Sequence, residues 1–180
     1  MASCGKFTIE RFIAFTQAST IALLLQFAGA PINCIIDARR IIEPVIIREA
    51  AKNATAEDVA GMDHRLAEME AHIDEDEPFM QGWHGLMDIV ISASDNAFFR
   101  LMLPALWEIG RSGGFGSTAY GRATGLALLR KLRDAMADRD GDRAAAVIDE
   151  IFGMIREVLE DNYNARLNRR VSWADVQDVL

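Results

Sequence analysis

Apolar residues recur at helical spacing along nearly the whole chain, and this spacing limits the possible folds more than any other feature of the sequence. In the stretch from about Ile9 to Phe27, one broad face carries Phe12, Phe15, Ile21, Leu24 and Leu25. No segment alternates apolar and polar residues for long, and β-branched residues do not cluster between turn signals. The sequence therefore predicts an all-α protein without strands.

Caps and helix breakers divide this pattern into separate helices. Gly29–Pro31 ends the first helix, Thr55 caps the third, and Arg111–Gly114 is the strongest break in the chain. Pro44 predicts a kink or break in the second helix, and Pro104 a bend in the fifth. The predicted helices begin at about residues 9, 34, 55, 78, 96, 117 and 142. The first ends near residue 27, the sixth near 137 and the seventh near 168, and a short helix or tail follows through Trp173. Short links between them predict an antiparallel bundle of about six or seven helices.

Length and composition indicate one domain. A chain of 180 residues buries a sizeable core without staples. A hydrophobic fraction of 51% beside 26% charged residues excludes a disordered chain. We expect a single helical domain over residues 1–180, with its core at about 7–168.

Charge and cysteine content restrict partners and compartment. The net charge of −8 argues against binding nucleic acid or an acidic membrane through this surface. Two cysteines cannot form a disulfide framework, which favours a reducing compartment and hence the cytoplasm. The uncharged stretch from Phe12 to Ile36 resembles a signal peptide, but Glu10 in its leader and Pro31 after the apparent cleavage site contradict that reading. It is also too short and too polar to span a bilayer.

Three histidines offer little catalytic chemistry. His64 and His72 fall on a polar helix, where a solvated role is expected. His84, beside Trp83, is either a hydrogen-bonded core residue or a ligand contact. No metal constellation accompanies it, since Met80, four residues earlier, is no ligand for a hard cation. The nucleophile elbow, the P-loop and the dinucleotide fingerprint are all missing from the sequence, so we expect no enzyme and no cofactor.

Two arginines lie in a helix otherwise rich in isoleucine. One of Arg39 and Arg40 can pair with Glu43 at helical spacing, and the other can point inward, where it would need an anion. The alternative is that both are solvated. The methionines, including Met80 and Met87, either fill the core or line an adaptable apolar cavity.

Several motifs in order resemble one family. They are Asp37–Pro44, Ala50-Ala51, Ala54–Asp58, Met69-Glu70, Trp83-His84 and Ser92–Met102. Together, over about Leu23 to Leu159, they resemble the FCD-like effector-binding domain of GntR-family transcription regulators of the FadR type. The resemblance implies an all-α bundle that binds a small effector, forms a homodimer and controls a winged-helix DNA-binding domain. That DNA-binding domain would lie before Phe7, and we expect this chain to lack it, so that DNA is bound only through the absent domain.

The sequence departs from the family pattern at the metal site. Many relatives bind a metal through an Asp and a His spaced as D-x-x-x-H and two later histidines. Here His84 matches the first His, whereas Met80 replaces the Asp and Leu129 and Ile151 (or Gly153) replace the later histidines. The resemblance therefore implies no metal in this chain. It implies a dry, apolar cavity in the middle of the bundle.

These observations give a first hypothesis and two alternatives. The first is a sensing and dimerisation domain that binds a hydrophobic acidic effector, such as a fatty acid or acyl-CoA. The ligand-binding residues predicted for it are Arg39, Met80, His84, Met87, Asn96, Leu129 and Ile151. The alternatives are a ligand-free helical dimerisation or scaffold protein and a metal-dependent helical enzyme. A central cavity distinguishes the first from the second.

Overall fold

A computed structural model describes residues 9–177, with side chains from Thr16 onward. These residues form eight α-helices. In chain order they are α1 (Ile9–Phe27), α2 (Asn33–Asn53), α3 (Ala56–Ala71), α4 (Asp76–Ala93), α5 (Ala97–Arg111), α6 (Ala119–Ala137), α7 (Gly141–Leu167) and the short α8 (Trp173–Gln177). Within this range the only extended pairing is an isolated bridge between Pro31 and Arg170. The prediction of an all-α bundle is confirmed.

Side-chain caps fix several helix starts where the sequence predicted them. The Thr55 hydroxyl accepts a hydrogen bond from the backbone N–H of Asp58, whose carboxylate accepts from the N–H of Thr55, so α3 begins with a capping box. The carboxamide oxygen of Asn96 accepts from the N–H groups of Phe98 and Phe99 at the start of α5. These caps satisfy backbone donors that the first turn of a helix leaves unpaired.

Two helices, α2 and α4, have boundaries that differ from the prediction. Helix α2 runs through Pro44 without a break. Its buried residues Ile35 and Ile46 lie on either side of the proline, and packing against α4, α5 and α7 offsets the hydrogen bond that Pro44 cannot donate. Helix α4 begins at Asp76, two residues before Pro78, because a proline in the first turn removes only an N–H that lacks a helical partner.

Ion pairs show that neighbouring helices run antiparallel. Arg48 near the end of α2 bonds to Asp142 at the start of α7, and Asp37 near the start of α2 pairs with Arg156 farther along α7. In the same way, Tyr120 at the start of α6 donates to Glu157 late in α7. The bundle therefore has the up-and-down arrangement that short links impose.

Helix α5 separates two hydrophobic clusters. Its Leu103 and Trp107 belong to the main cluster, which unites α2, α3, α4, α6 and α7. Its Ala105 and Ile109 belong to a smaller cluster with α1 and α8. Residues two positions apart on a helix point about 200° apart, so α5 is buried on two opposite faces.

Candidate functional site

Four helices of the main cluster meet around one indole ring. Trp107 of α5 is buried, and the imidazole of His84 on α4 stacks on it with ring centroids 6.1 Å apart and an interplanar angle of 26°. The guanidinium carbon of Arg39 on α2 lies 5.9 Å from the centroid of Trp107 and 5.6 Å from that of Phe152 on α7. A cation within about 6 Å of an aromatic face is attracted by the ring quadrupole. Arg39 is therefore within this range of two aromatic rings.

A buried carboxylate neutralises this arginine. Nε of Arg39 donates to Oε1 of Glu43 at 2.6 Å, and Nε1 of Trp107 donates to the same oxygen at 3.1 Å. Glu43 is only 2% exposed. Arg39 and Glu43 stand four residues apart, so the helix places their side chains one above the other. Arg40 is exposed, which identifies Arg39 as the arginine that turns inward and also as the one that pairs with Glu43.

The terminal nitrogens of the Arg39 guanidinium are available for further hydrogen bonds within the described residues. Within residues 16–177, its two terminal nitrogens donate no hydrogen bond, and 19% of the side chain reaches solvent. One of these nitrogens faces the backbone of α5, 3.9 Å from where a Cβ on Gly110 would lie. A planar guanidinium with free terminal N–H groups suits the oxygens of a carboxylate or phosphate.

The neighbouring histidine is neutral. Burial, together with the positive charges of Arg111 and Arg39, lowers the pKa of His84 from 6.5 to about 4. A neutral imidazole can donate one hydrogen bond and accept another. Arg111, at the end of α5, is partly exposed and pairs with Glu108 at 3.5 Å. The site thus combines two guanidinium groups, a neutral imidazole and two aromatic faces.

The structure brings some of the predicted site residues together and separates others. Arg39 and His84 both contact Trp107. Met80 packs against the main cluster from its edge, and Met87, Leu129 and Ile151 are buried within it. Asn96 is exposed and caps the other end of α5, roughly 16 Å along the helix from Trp107 at 1.5 Å per residue.

Three residues that were expected to line a dry cavity, Met87, Leu129 and Ile151, are closely covered by other side chains. A side chain that lines a cavity large enough for a ligand retains surface that is accessible to a water-sized sphere. Leu129 is 0% exposed, and Met87 and Ile151 are almost completely covered. Apolar side chains close this region because an empty cavity costs about 24 cal/mol per Å³. A ligand must therefore displace side chains to enter.

Two clefts open elsewhere on the described surface. One, of about 380 Å³, lies between the ends of α5 and α7 and includes Arg111, Arg166 and Arg169. The other, of about 350 Å³, lies between α3 and α6 and includes Arg130 and Arg133. Neither cleft contains any of the predicted ligand-binding residues.

The residues around His84 do not fit the metal site of the family pattern. Met80, Leu129 and Ile151 occupy the positions of the expected ligands, and none of them offers nitrogen or oxygen to a hard cation. Throughout residues 16–177, no three His, Cys, Asp or Glu side chains come together in an arrangement that could bind a metal ion. The described residues therefore do not provide the ligand set of that metal site.

The sequence identified Glu43 only as an ion-pair partner of Arg39 or Arg40, and it gave no prediction for the other residues of this site, Trp107, Phe152 and Arg111. Glu43 carried a signal, because its four-residue spacing from Arg39 was visible. The others carried none, because an aromatic residue or arginine at helical spacing does not reveal which distant helix it contacts.

Comparison with models of protein families identifies the family of this chain. The family model described as the FCD domain matches residues 34–153, about two thirds of the chain. No curated protein matches the sequence. In the part of the chain that the structure describes, every helix is too short or too polar to serve as a bilayer span.

Proposed function

Because this chain belongs to the FCD family, the C-terminal effector-binding domain of GntR-family regulators such as FadR, we propose that it binds a small hydrophobic acid without a metal. A fatty acid or an acyl-CoA is the effector class that best suits the site. The protein would act in the cytoplasm as the sensing and dimerisation part of a transcription regulator.

The observation that carries this proposal is the position of Arg39 at the edge of an apolar core. Among the described residues its terminal N–H groups have no hydrogen-bond partner, and its guanidinium carbon lies 5.9 Å from the ring centroid of Trp107 and 5.6 Å from that of Phe152. An acidic head group accepts hydrogen bonds from these nitrogens, and the N–H of neutral His84 is a further donor. Arg111 adds a second positive charge at the entrance.

The apolar part of the effector would occupy the region of Met80, Met87, Leu129 and Ile151. These side chains belong to the main cluster or pack against it, so binding requires them to repack. Methionine makes this easier, because its unbranched side chain adopts many rotamers at low cost. Asn96 is left out of the proposed site, because its carboxamide is engaged in capping α5.

Dimerisation would use the outer face of α2. Ile41 and Val45 are 68% and 55% exposed and lie one helical turn apart, with Ile42 beside them. A strip of exposed aliphatic residues on one helix is typical of protein–protein contacts. Because Arg39 and Glu43 lie on the same helix, a ligand that repositions α2 would change the dimer geometry and hence the spacing of attached DNA-binding domains.

Native mass spectrometry of the purified protein, before and after denaturation, tests the ligand class. We expect a dimer with a co-purified lipid-like mass, and a thermal shift on adding oleate or oleoyl-CoA. The variant Arg39→Gln should lose that shift, whereas Arg40→Gln, the exposed neighbour, should keep it. An empty protein that responds to neither ligand contradicts the proposal.

A second candidate is a helical dimerisation or scaffold domain that binds no ligand. The filled interior around Leu129 favours it, because a core at native density has no room for a guest. The same measurements separate the two, since this alternative predicts a dimer without bound mass and without any ligand-dependent shift.

A further inference from the structure

We infer that Glu43 is an internal substitute for the effector's carboxylate, and that an acidic effector binds by displacing it from Arg39. This inference rests on the proposed function and adds a mechanism of exchange to it. It makes Glu43 the residue that determines how tightly the site holds an anion.

The contacts of Glu43 are those that a ligand's carboxylate would make. A single oxygen of Glu43 accepts from Nε of Arg39 and from Nε1 of Trp107. Both donors belong to the aromatic and cationic cluster described above, and the carboxylate is almost fully buried. A buried charge needs a partner with good geometry, and Glu43 has two.

Charge balance makes exchange more favourable than simple addition. Arg39 and Glu43 cancel each other, so a second carboxylate on Arg39 would bring one uncompensated negative charge into a region of low dielectric. Arg111, whose charge also acts on His84, is exposed and has its own partner in Glu108. If Glu43 rotates out, the ligand's carboxylate accepts hydrogen bonds from Nε of Arg39 and Nε1 of Trp107 in its place, and it balances the charge of Arg39.

The location of the pair permits this rotation. The side chain of Arg39 reaches solvent along one edge, and Glu43 stands one turn farther along α2. A glutamate side chain has three rotatable bonds, so its carboxylate can move outward while the helix stays in place. The departing carboxylate is then hydrated, which offsets the loss of its buried partners.

Chemical rescue tests the anion position without any assumption about the effector. Glu43→Ala removes approximately the atoms of acetate, so sodium acetate should refill the position and raise the melting temperature of this variant by about 5 °C more than that of the wild type. Acetamide, a neutral isostere, should give no such rise. Glu108→Ala serves as a matched control, because it removes a nearby charge that does not contact Arg39. Equal effects of acetate and acetamide, or rescue of Glu108→Ala to the same extent, overturn the inference.

Ligand affinity tests the exchange itself. Glu43→Gln keeps an oxygen for Arg39 and Trp107 but removes the charge. This variant tests the exchange even if Glu43→Ala does not fold. We expect Glu43→Gln to bind octanoate about tenfold more tightly than the wild type, with less than about a twofold change for octanamide. Octanoate binding that depends on Arg39 but does not tighten in Glu43→Gln overturns the exchange and leaves the proposed function intact. Acetate rescue without any octanoate binding supports the anion position and contradicts the proposed effector class.

Discussion

The indole N–H of Trp107 donates to Oε1 of Glu43 at 3.1 Å, although 64 positions separate the two residues in the chain. This bond joins α5 to α2 inside the core and places a polar contact where neighbouring side chains are apolar. It fixes both the orientation of the indole ring and the position of the carboxylate that pairs with Arg39. The site therefore depends on one hydrogen bond between distant parts of the sequence.

Trp107→Phe is expected to lower the free energy of unfolding by about 2 kcal/mol, because it removes a donor to a buried carboxylate while retaining an aromatic ring. Urea denaturation measures the change. Trp173→Phe is the control, because the Trp173 side chain is substantially exposed and should have an effect within about 0.5 kcal/mol. Similar losses in the two variants would contradict the role given to the Trp107–Glu43 bond.

His84 is expected to make the protein less stable in acid. Its folded-state pKa of about 4 lies below its ordinary value of 6.5, so the unfolded chain binds more protons between these two pH values. The free energy of unfolding contributed by His84 is present above about pH 6.5 and falls as the pH drops toward 4, by up to about 3 kcal/mol. Thermal melts from pH 7 to pH 4.5 should show a smaller loss for His84→Phe than for the wild type. His64→Phe, at an exposed position, should follow the wild type; if His84→Phe follows it as well, the assignment is wrong.

Two helical glycines should respond in opposite ways to alanine. A Cβ on Gly125 of α6 would lie 2.6 Å from the ring of Trp83 on α4, so Gly125→Ala should destabilise the protein by about 1–3 kcal/mol. Gly153 of α7 has nothing within 4 Å of the same position, and Gly153→Ala should stabilise it by about 0.5–1 kcal/mol. Denaturant midpoints compare the two variants directly. A stabilising Gly125→Ala would show that α4 and α6 are not packed this closely.

The outer face of α2 is expected to determine the oligomeric state. In the double variant Ile41→Glu/Val45→Glu, charges replace exposed aliphatic side chains, and light scattering should report a monomer, whereas we expect a dimer for the wild type. Arg40→Glu, on the same helix and also exposed, is the control and should leave the dimer intact. A wild-type protein that stays monomeric at all concentrations, or a double variant that remains dimeric, would refute this surface as the interface.

The helices could be predicted from the sequence because their signals are local. The first helix was predicted at the residues where α1 lies, and Thr55 caps the helix that it was expected to cap. The exception at Pro44 has a nonlocal cause, since the packing that keeps α2 continuous comes from helices far away in the chain. The short α8 was expected only as a helix or a tail, because five residues carry too little periodic signal to decide between them.

The candidate site was only partly predictable. Arg39 was recognised as an arginine in an apolar helix, and its spacing from Glu43 was recognised as that of an ion pair. That the pair faces inward, between Trp107 and Phe152, could not be derived from spacing. Whether an apolar core contains a cavity is also undecidable from the sequence, because composition gives the volume of the side chains but not the volume that the helices enclose.

By itself, the sequence determined the helical class and the positions of most helices, and it predicted apolar residues at Met80, Leu129 and Ile151 (or Gly153) in place of the family's metal ligands. These properties follow from the helical period and from the chemistry of individual side chains, both of which act over a few residues. Only the tertiary structure decided that Arg39 is neutralised by Glu43, that both contact Trp107, and that Leu129 is packed without space around it. Those relationships depend on how helices pack across long separations in the chain, and packing is a property of the assembled core.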